Sequence, residues 1–419
     1  EIHERLVGSE MCIRDRCNSV IVFDEVQSLP NTMLTLFNLT INFLVKKCHA
    51  TVILCSATQP SFENAEHKLL SEVSDLITLP SETLKVFERV ELVEKGSMSM
   101  EELSDFALEI IRSKKSLLVV CNTKREAKEL FENLQAEVNN TVPMYHLSAS
   151  MCTKHRKMIV ESMKKDLGLP DPKQIVCVAT QVIEAGVDIS FNCVIRLQAG
   201  MDSIVQAAGR CNRNGENKLE SVYIVNLLGE KLHRLKEIET AKRATESLLQ
   251  EVKIKKHYTS LNSDAAISFY YKKLYSMMNK GEQDFFVPNL HKSLYGLLNQ
   301  HDIADGYFLA QQLKTAGKYF NVFDNNTVEM IVPYGKGQDV ISELNSEKAM
   351  YNLAYAEEAI KQATGYTVTC YQYQIDILKK DAAVIYNDCF GIYILNDSAY
   401  YDDKLGLNLD AIGGEGVFY

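Results

Sequence analysis

The chain has 419 residues, 46% of them hydrophobic and 24% charged, which is enough for two or three domains that each bury a core. A formal net charge of −10 and an isoelectric point near 5.5 exclude a broadly basic nucleic-acid coat, so any contact with a polyanion is local. No run of about 18 uncharged apolar residues offers a membrane span and no charged-then-apolar leader opens the chain, which reads as a cytoplasmic protein without membrane contact.

The first sixteen residues, EIHERLVGSEMCIRDR, fit nothing that follows and end abruptly against a strand. We expect a non-native or disordered lead there, with a genuine helix as the alternative. From about residue 17 to about residue 228, short β-branched runs alternate with helix-length amphipathic stretches. Strands are expected at Val20 to Phe23, Thr51 to Cys55, Ser116 to Cys121, Gln174 to Ala179, Cys193 to Leu197 and Ser221 to Leu227. Their near-continuous apolar character suits parallel strands covered on both faces. Helices are expected at Met100 to Ser113, Lys124 to Val138, Thr153 to Lys165 and Asp202 to Asn214, giving a doubly wound α/β arrangement. After Gly229 a charged run, Glu230 to Val252, and a Tyr- and Lys-rich stretch read as a helical linker. From about Thr327, short strands at Val328 to Val332, Thr367 to Tyr371 and Gly391 to Leu395 join a helix around Ser346 to Ala363 in a small α+β accessory domain. The eleven cysteines are scattered, without a close CxxC pair or zinc spacing, and read as reduced thiols.

VIVFDEVQ, Val20 to Gln27, is a strand that delivers two carboxylates at its C-terminal end, where ligands bind in open α/β sheets. Asp24 is suited to hold Mg²⁺ through its waters, and Glu25 to orient the water that attacks a γ-phosphate; a solvated turn explains the pair equally well taken alone. LCSATQP, Leu54 to Pro60, ends a second strand in two hydroxyls, Ser56 and Thr58, which suit a hydrogen-bonded switch or, for Ser56, a simple cap. LLVVCNTKREA, Leu117 to Ala127, presents Asn122 and Thr123 before a helix N-terminus, a place that can hold a phosphate. In VPMYHLSASMCTKHR, Val142 to Arg156, the residues His146, Ser148 and Arg156 are candidate contacts to a nucleic-acid backbone, with a satisfied strand-end histidine as the other reading of His146.

VCVATQVIEAGVDISF, Val176 to Phe191, ends its strand at Thr180 and Gln181, places Glu184 in a turn, lets the backbone bend at Gly186 and offers Asp188 to a nucleotide sugar or a coupling arginine. In DSIVQAAGRCNRNG, Asp202 to Gly215, a helix running to Gly215 sets Gln206, Arg210 and Arg213 at i, i+4 and i+7 on one face. Two arginines there suit fingers that neutralise a transferring phosphoryl group, and surface salt bridges are the plain alternative.

Taken in order, DEVQ, SAT, the CNT turn, ATQVIEAGVD and QAAGRCNR resemble motifs II to VI of superfamily 2 helicases. DEVQSLP, YHLSASMCTKHR, ATQVIEAGVDISF and the ending LNDSAYYDDKLGL narrow the resemblance to the signature helicase/nuclease of type I CRISPR systems. The resemblance implies two RecA-like domains that clamp ATP and Mg²⁺, a motor moving 3′ to 5′ on single-stranded DNA, a histidine/aspartate nuclease domain, and recruitment by a Cascade-like surveillance complex, here as a monomer. It assigns residues 17–84 to the C-terminal half of the first RecA-like domain, 85–228 to a complete second one, 229–326 to the linker and 327–419 to the accessory domain. By the same resemblance Asp24 and Glu25 take the Walker B role, Gln27, Ser56 and Thr58 the coupling role, Arg210, Arg213 and Gln206 the arginine-finger role, Gly186 and Asp188 a nucleotide-facing role. Asn122, Thr123 and Thr180 take DNA-backbone contacts.

The chain departs from the pattern in two respects. No GxxxxGK[ST] occurs; Gly317-Lys318 and Gly335-Lys336 lack the earlier glycine and the following hydroxyl. This sequence alone is therefore expected to bind ATP poorly and to hydrolyse it negligibly. The nuclease set is also illegible, since His301-Asp302 lacks its partner His and Asp. Two other readings stay open: an RNA helicase of the DExH type, and an inactive adaptor that keeps the fold for docking.

Overall fold

The computed structural model of the chain describes residues 15–78, 80, 83, 87–138, 142–169, 174–184, 186–233, 235–255, 258, 260–279, 281–299, 312–320 and 327–409. Most of the expected lead and the His301-Asp302 pair lie outside the described residues. By packing, the chain divides into one unit made of residues 1–88, 199–205 and 231–323 and a second made of 89–198, 206–230 and 324–419.

In the first unit, β1 (Val20–Phe23) and β2 (Thr51–Leu54) pair in parallel, in register from Val20↔Thr51 to Phe23↔Leu54. Helix α1 (Leu34–Lys46) connects them and lays Leu44 against Cys48 and Ala50. Phe23, Phe37 and Phe62 follow one another at centroid separations of 5.2 and 5.4 Å. The other side of β1 is bare, with Val20 66% and Val22 58% exposed. Helices Lys236–Lys255 and Asp264–Met277 also belong to this unit, the second burying Tyr270, Tyr271, Leu274 and Tyr275.

The second unit holds a six-stranded sheet of β3 (Val90–Met98), β4 (Ser116–Val120), β5 (Met144–Leu147), β6 (Ile175–Ala179), β7 (Cys193–Leu197) and β8 (Glu220–Leu227). They run in the order β3-β8-β7-β4-β6-β5 with every pair parallel. Each residue of β4, β6 and β7 is buried, as their apolar runs require. On β4, Leu117 and Val119 face Leu103 and Ala107 of α2 (Met100–Ser113) and Leu130 and Leu134 of α3 (Lys124–Val138). The alternate residues, Leu118 and Val120, face Ile159 and Met163 of α4 (Thr153–Leu167) and Ala207 of α5 (Met201–Ala208). Helices thus cover both faces, and each fully buried leucine contributes roughly 1.5–3 kcal/mol. Strand β3 is absent from the expected set because Glu91, Glu94, Lys95 and Ser97 interrupt its apolar alternation at the sheet edge.

The accessory part of this unit is a four-stranded sheet of β9 (Thr327–Ile331), β10 (Thr367–Tyr371), β11 (Val384–Asn387) and β12 (Ile392–Leu395), ordered β10-β9-β12-β11. The single helix expected at Ser346 to Ala363 is two, Glu347–Tyr351 and Leu353–Ala363, broken where the Asn352 side chain accepts from the Tyr355 amide at 3.1 Å. Beyond the sheet, Tyr401 and Asp403 grip α4. The Cys152 amide donates to the Tyr401 hydroxyl at 3.0 Å, and His155 lies between that hydroxyl (3.0 Å) and the Asp403 carbonyl (2.9 Å). A carbonyl can only accept, so His155 carries its proton on Nε2 and is neutral, with its pKa held down by burial. The Leu407 amide donates to the Ser150 carbonyl at 2.8 Å. Gly406 sits at φ +79°, and a Cβ there would come within 2.5 Å of that same carbonyl. Among the described residues no helix is long and apolar enough to cross a membrane.

Candidate nucleotide and nucleic-acid sites

In the first unit, β1 ends at the acidic pair. Asp24 and Glu25 are exposed, and Glu25 adopts a left-handed backbone at φ 53°, a conformation uncommon for a residue with a Cβ. Its amide donates to Asp24 Oδ1 at 3.0 Å and its carbonyl accepts from the Ser28 hydroxyl at 2.6 Å, which together hold the bend. Gln27 Nε2 donates to the Glu25 carboxylate, while Gln27 Oε1 lies 2.5 Å from Ser56 Oγ. Ser56 Oγ also lies 2.6 Å from the Thr58 carbonyl and accepts from the Thr58 amide at 3.1 Å, so its one proton serves Gln27 or Thr58 at a time. Thr58 is buried, and its hydroxyl meets that of Tyr271 at 3.2 Å. The DEVQ and SAT segments are therefore one hydrogen-bonded chain, Glu25–Gln27–Ser56–Thr58–Tyr271. Nothing in the sequence around Tyr271 marks it as a partner of Thr58, 213 residues away. Asp24 is an exposed carboxylate without a protein cage, the donor set expected for Mg²⁺ shared with phosphates and water; no cluster of three metal-binding side chains occurs among the described residues.

In the second unit, the helix expected from Asp202 to Asn214 stops at Ala208. Gly209 follows, and then Phe191 takes over the backbone. Its amide donates to the Arg210 carbonyl at 2.9 Å and its carbonyl accepts from the Asn212 amide at 2.8 Å, a bridge that pulls the chain into a turn with Asn212 at φ 46°. The helical face proposed for Gln206, Arg210 and Arg213 accordingly does not exist: Gln206 is half-buried on α5, Arg210 is buried and Arg213 exposed in the turn. Arg210 Nη2 donates to the Glu184 carbonyl. Arg213 Nε donates to Asp188 Oδ1 at 2.7 Å, and its amide donates to Ser190 Oγ at 3.0 Å. Gly186, at φ +70° and exposed, turns the chain between Glu184 and Asp188, and a Cβ there would meet nothing. Asp188 also lines an open cleft of about 600 Å³ with Lys114, Ser116, Asn192 and Glu220.

Asn122, Thr180 and Ser148 come together because Val120 and Leu147 both pair with Ala179, placing the three just past the C-terminal ends of adjacent strands. All three are buried. Asn122 uses its whole amide inside the unit, donating to the Gln198 carbonyl (3.0 Å) and Glu230 Oε1 (2.7 Å) and accepting from Arg196 Nη1 (2.7 Å). Ser148 Oγ accepts from the Ser150 amide at 3.3 Å. Thr123 caps α3 through reciprocal bonds with Glu126, both 3.2 Å, and is half-buried, as is Arg156, which reaches Thr153 Oγ1 at 3.4 Å. Burial and the nearby Glu230 push the Glu126 carboxyl up to about 7. His146 is a core residue against Phe131, not a solvent-facing contact. The residue that sequence reading missed here is Arg196, a lone charge within the apolar strand CVIRL and fully buried.

Residues 113–216 match the family model described as CRISPR-associated nuclease/helicase Cas3, C-terminal. The CRISPR-associated nuclease/helicase Cas3 of Methanothermobacter thermautotrophicus is 27% identical over 223 residues, covering 51% of this chain and 26% of that protein. A putative CRISPR-associated nuclease/helicase Cas3 of Methanocaldococcus jannaschii is 29% identical over 220 residues, covering 49% and 28%. The crystal structure of T. fusca Cas3-ATP superposes with a TM-score of 0.60 at 14% identity, over 90% of this chain and 51% of that one, a likeness of fold. The matches thus span little more than a quarter of those curated relatives and about half of that solved chain. On these grounds residues 113–216 resemble the C-terminal part of the Cas3 nuclease/helicases, and the chain shares its fold with a solved Cas3.

Proposed function

We propose that this chain supplies the C-terminal part of an ATP-dependent helicase that moves 3′ to 5′ on single-stranded DNA in type I CRISPR interference, acting as a monomer beside a histidine/aspartate nuclease and recruited by a Cascade-like surveillance complex. The observation that carries the reading is the chain from Glu25 through Gln27, Ser56 and Thr58, because it ties a water-orienting carboxylate to hydroxyls suited to sense it. Glu25, held by Gln27 Nε2, accepts a hydrogen bond from the attacking water and takes its proton as the γ-phosphoryl group departs. Asp24 would hold Mg²⁺, which would neutralise charge on the phosphate oxygens. Arg213, exposed and tethered by one carboxylate, is the better finger; Arg210 braces the turn that presents it. The buried strand ends at Asn122, Thr180 and Ser148 shape the backbone that faces DNA, while Thr123 and Arg156 reach the phosphates.

The sequence as it stands, lacking a phosphate-binding loop, is expected to turn over no ATP by itself. The deciding experiment is an ATPase assay on the protein expressed from its complete reading frame, with and without single-stranded DNA. Turnover stimulated by single-stranded DNA is expected; turnover stimulated only by RNA, or none at all, overturns the reading.

A further inference from the structure

Among the described residues, Arg196 is the largest side chain with essentially no solvent exposure, a guanidinium placed in the middle of the second unit's sheet. Removing a charge from water to such a place is costly unless its donors are matched. Here they are. Nε lies 3.1 Å from Glu184 Oε1, and Nη1 reaches Asn122 Oδ1 at 2.7 Å, the Leu197 carbonyl at 2.9 Å and the Val120 carbonyl at 3.3 Å. Glu184 is itself buried, and its carbonyl receives Arg210 Nη2. Asn122 in turn donates to Glu230 Oε1 and the Gln198 carbonyl. One guanidinium therefore joins the end of β4, the turn after β6 and the arginine turn after α5.

We propose that Arg196 is a positioning residue: by fixing Glu184 and Asn122 together it sets the arginine turn, and so Arg213, relative to the strand end at Asn122. An apolar side chain of similar volume, such as Met, fills the same space, but only the planar fork of Arg addresses a carboxylate in the turn after β6 and an amide past the end of β4 at once. The proposal rests on the reading that the arginine turn serves ATP turnover. A merely structural role predicts that any change restoring stability restores activity; a positioning role predicts that it does not.

The test uses the protein from its complete reading frame and two variants. Arg196→Met removes the ion pair that the guanidinium makes with buried Glu184 and is expected to lower Tm or prevent folding. The paired variant Glu184→Gln/Arg196→Met removes both charges and is expected to regain most of that stability. Its kcat with single-stranded DNA should nevertheless remain about tenfold or more below the parent with KM for ATP nearly unchanged, the mark of a misplaced group that acts only in the transition state. Parent-like kcat in the stable paired variant overturns the proposal, and so does failure of that variant to regain stability over Arg196→Met. Arg213→Ala is run alongside: if it keeps full turnover, the reading of the arginine turn itself fails, whatever the paired variant does.

Discussion

Arg213 and Asp188 form an ion pair at 2.7 Å while their side chains remain 42% and 74% exposed. An exposed pair of this kind contributes roughly 0–1 kcal/mol to stability. Its use is in aiming. Asp188 holds the guanidinium near the Gly186 turn, and Ser190 Oγ fixes the Arg213 amide. Replacing Arg213 with Ala is therefore expected to leave Tm almost unchanged and to lower DNA-stimulated turnover by roughly 10³-fold or more if the side chain neutralises the transferring phosphoryl group. Steady-state ATPase and a thermal melt check both halves; a loss below tenfold makes Arg213 a surface residue.

Glu25→Gln replaces one carboxylate oxygen by an amide nitrogen with little change in shape. Nucleotide binding should survive while turnover disappears, because the group that takes the water's proton is gone. Fluorescent-nucleotide titration together with a phosphate-release assay measures the two separately. Persisting hydrolysis in the variant would remove Glu25 from the role.

Much of this was legible in the sequence, for identifiable reasons. The central strands SLLVV and CVIRL read as buried because parallel strands must be apolar on both faces, and α2 and α3 announced themselves with apolar periodicity, whereas VIVF, read the same way, leaves Val20 and Val22 exposed. The arginine segment misled because Gln206, Arg210 and Arg213 keep helical spacing past Ala208, whereas the competing bridge from Phe191 lies far away in sequence. Edge strand β3 hid behind its charges. Arg196 and Tyr271 show the deeper limit: a buried partner is chosen by tertiary packing, which local patterns do not encode.

The Tyr271 hydroxyl gives a direct handle on the coupling chain. Tyr271→Phe keeps the ring among Tyr270 and Tyr275 and deletes only the group that meets Thr58 Oγ1 at 3.2 Å. Losing one buried hydrogen bond costs roughly 1 kcal/mol, a small fall in Tm. If the bond steadies the SAT segment, ATP turnover per nucleotide translocated should also rise, because hydrolysis no longer commits the segment to movement. Parallel ATPase and strand-displacement assays give the ratio; an unchanged ratio assigns Tyr271 to packing alone.

Acid should loosen the second unit through His146. Burial depresses its pKa from 6.5 to about 4, so the folded unit holds the ring neutral. Above pH 6.5 neither state is protonated and the stability is fully present. As pH falls, the unfolded chain takes up the proton first, near 6.5, and the folded unit follows only near 4, so stability drains away across that window. The loss from His146 alone is about 2 kcal/mol by pH 5. His155, shifted in the same direction, steepens the slope. Urea midpoints measured from pH 7.5 to 5 should fall in the parent and fall less in His146→Gln, whose side chain cannot titrate. Equal slopes in the two proteins would assign the acid sensitivity to other groups.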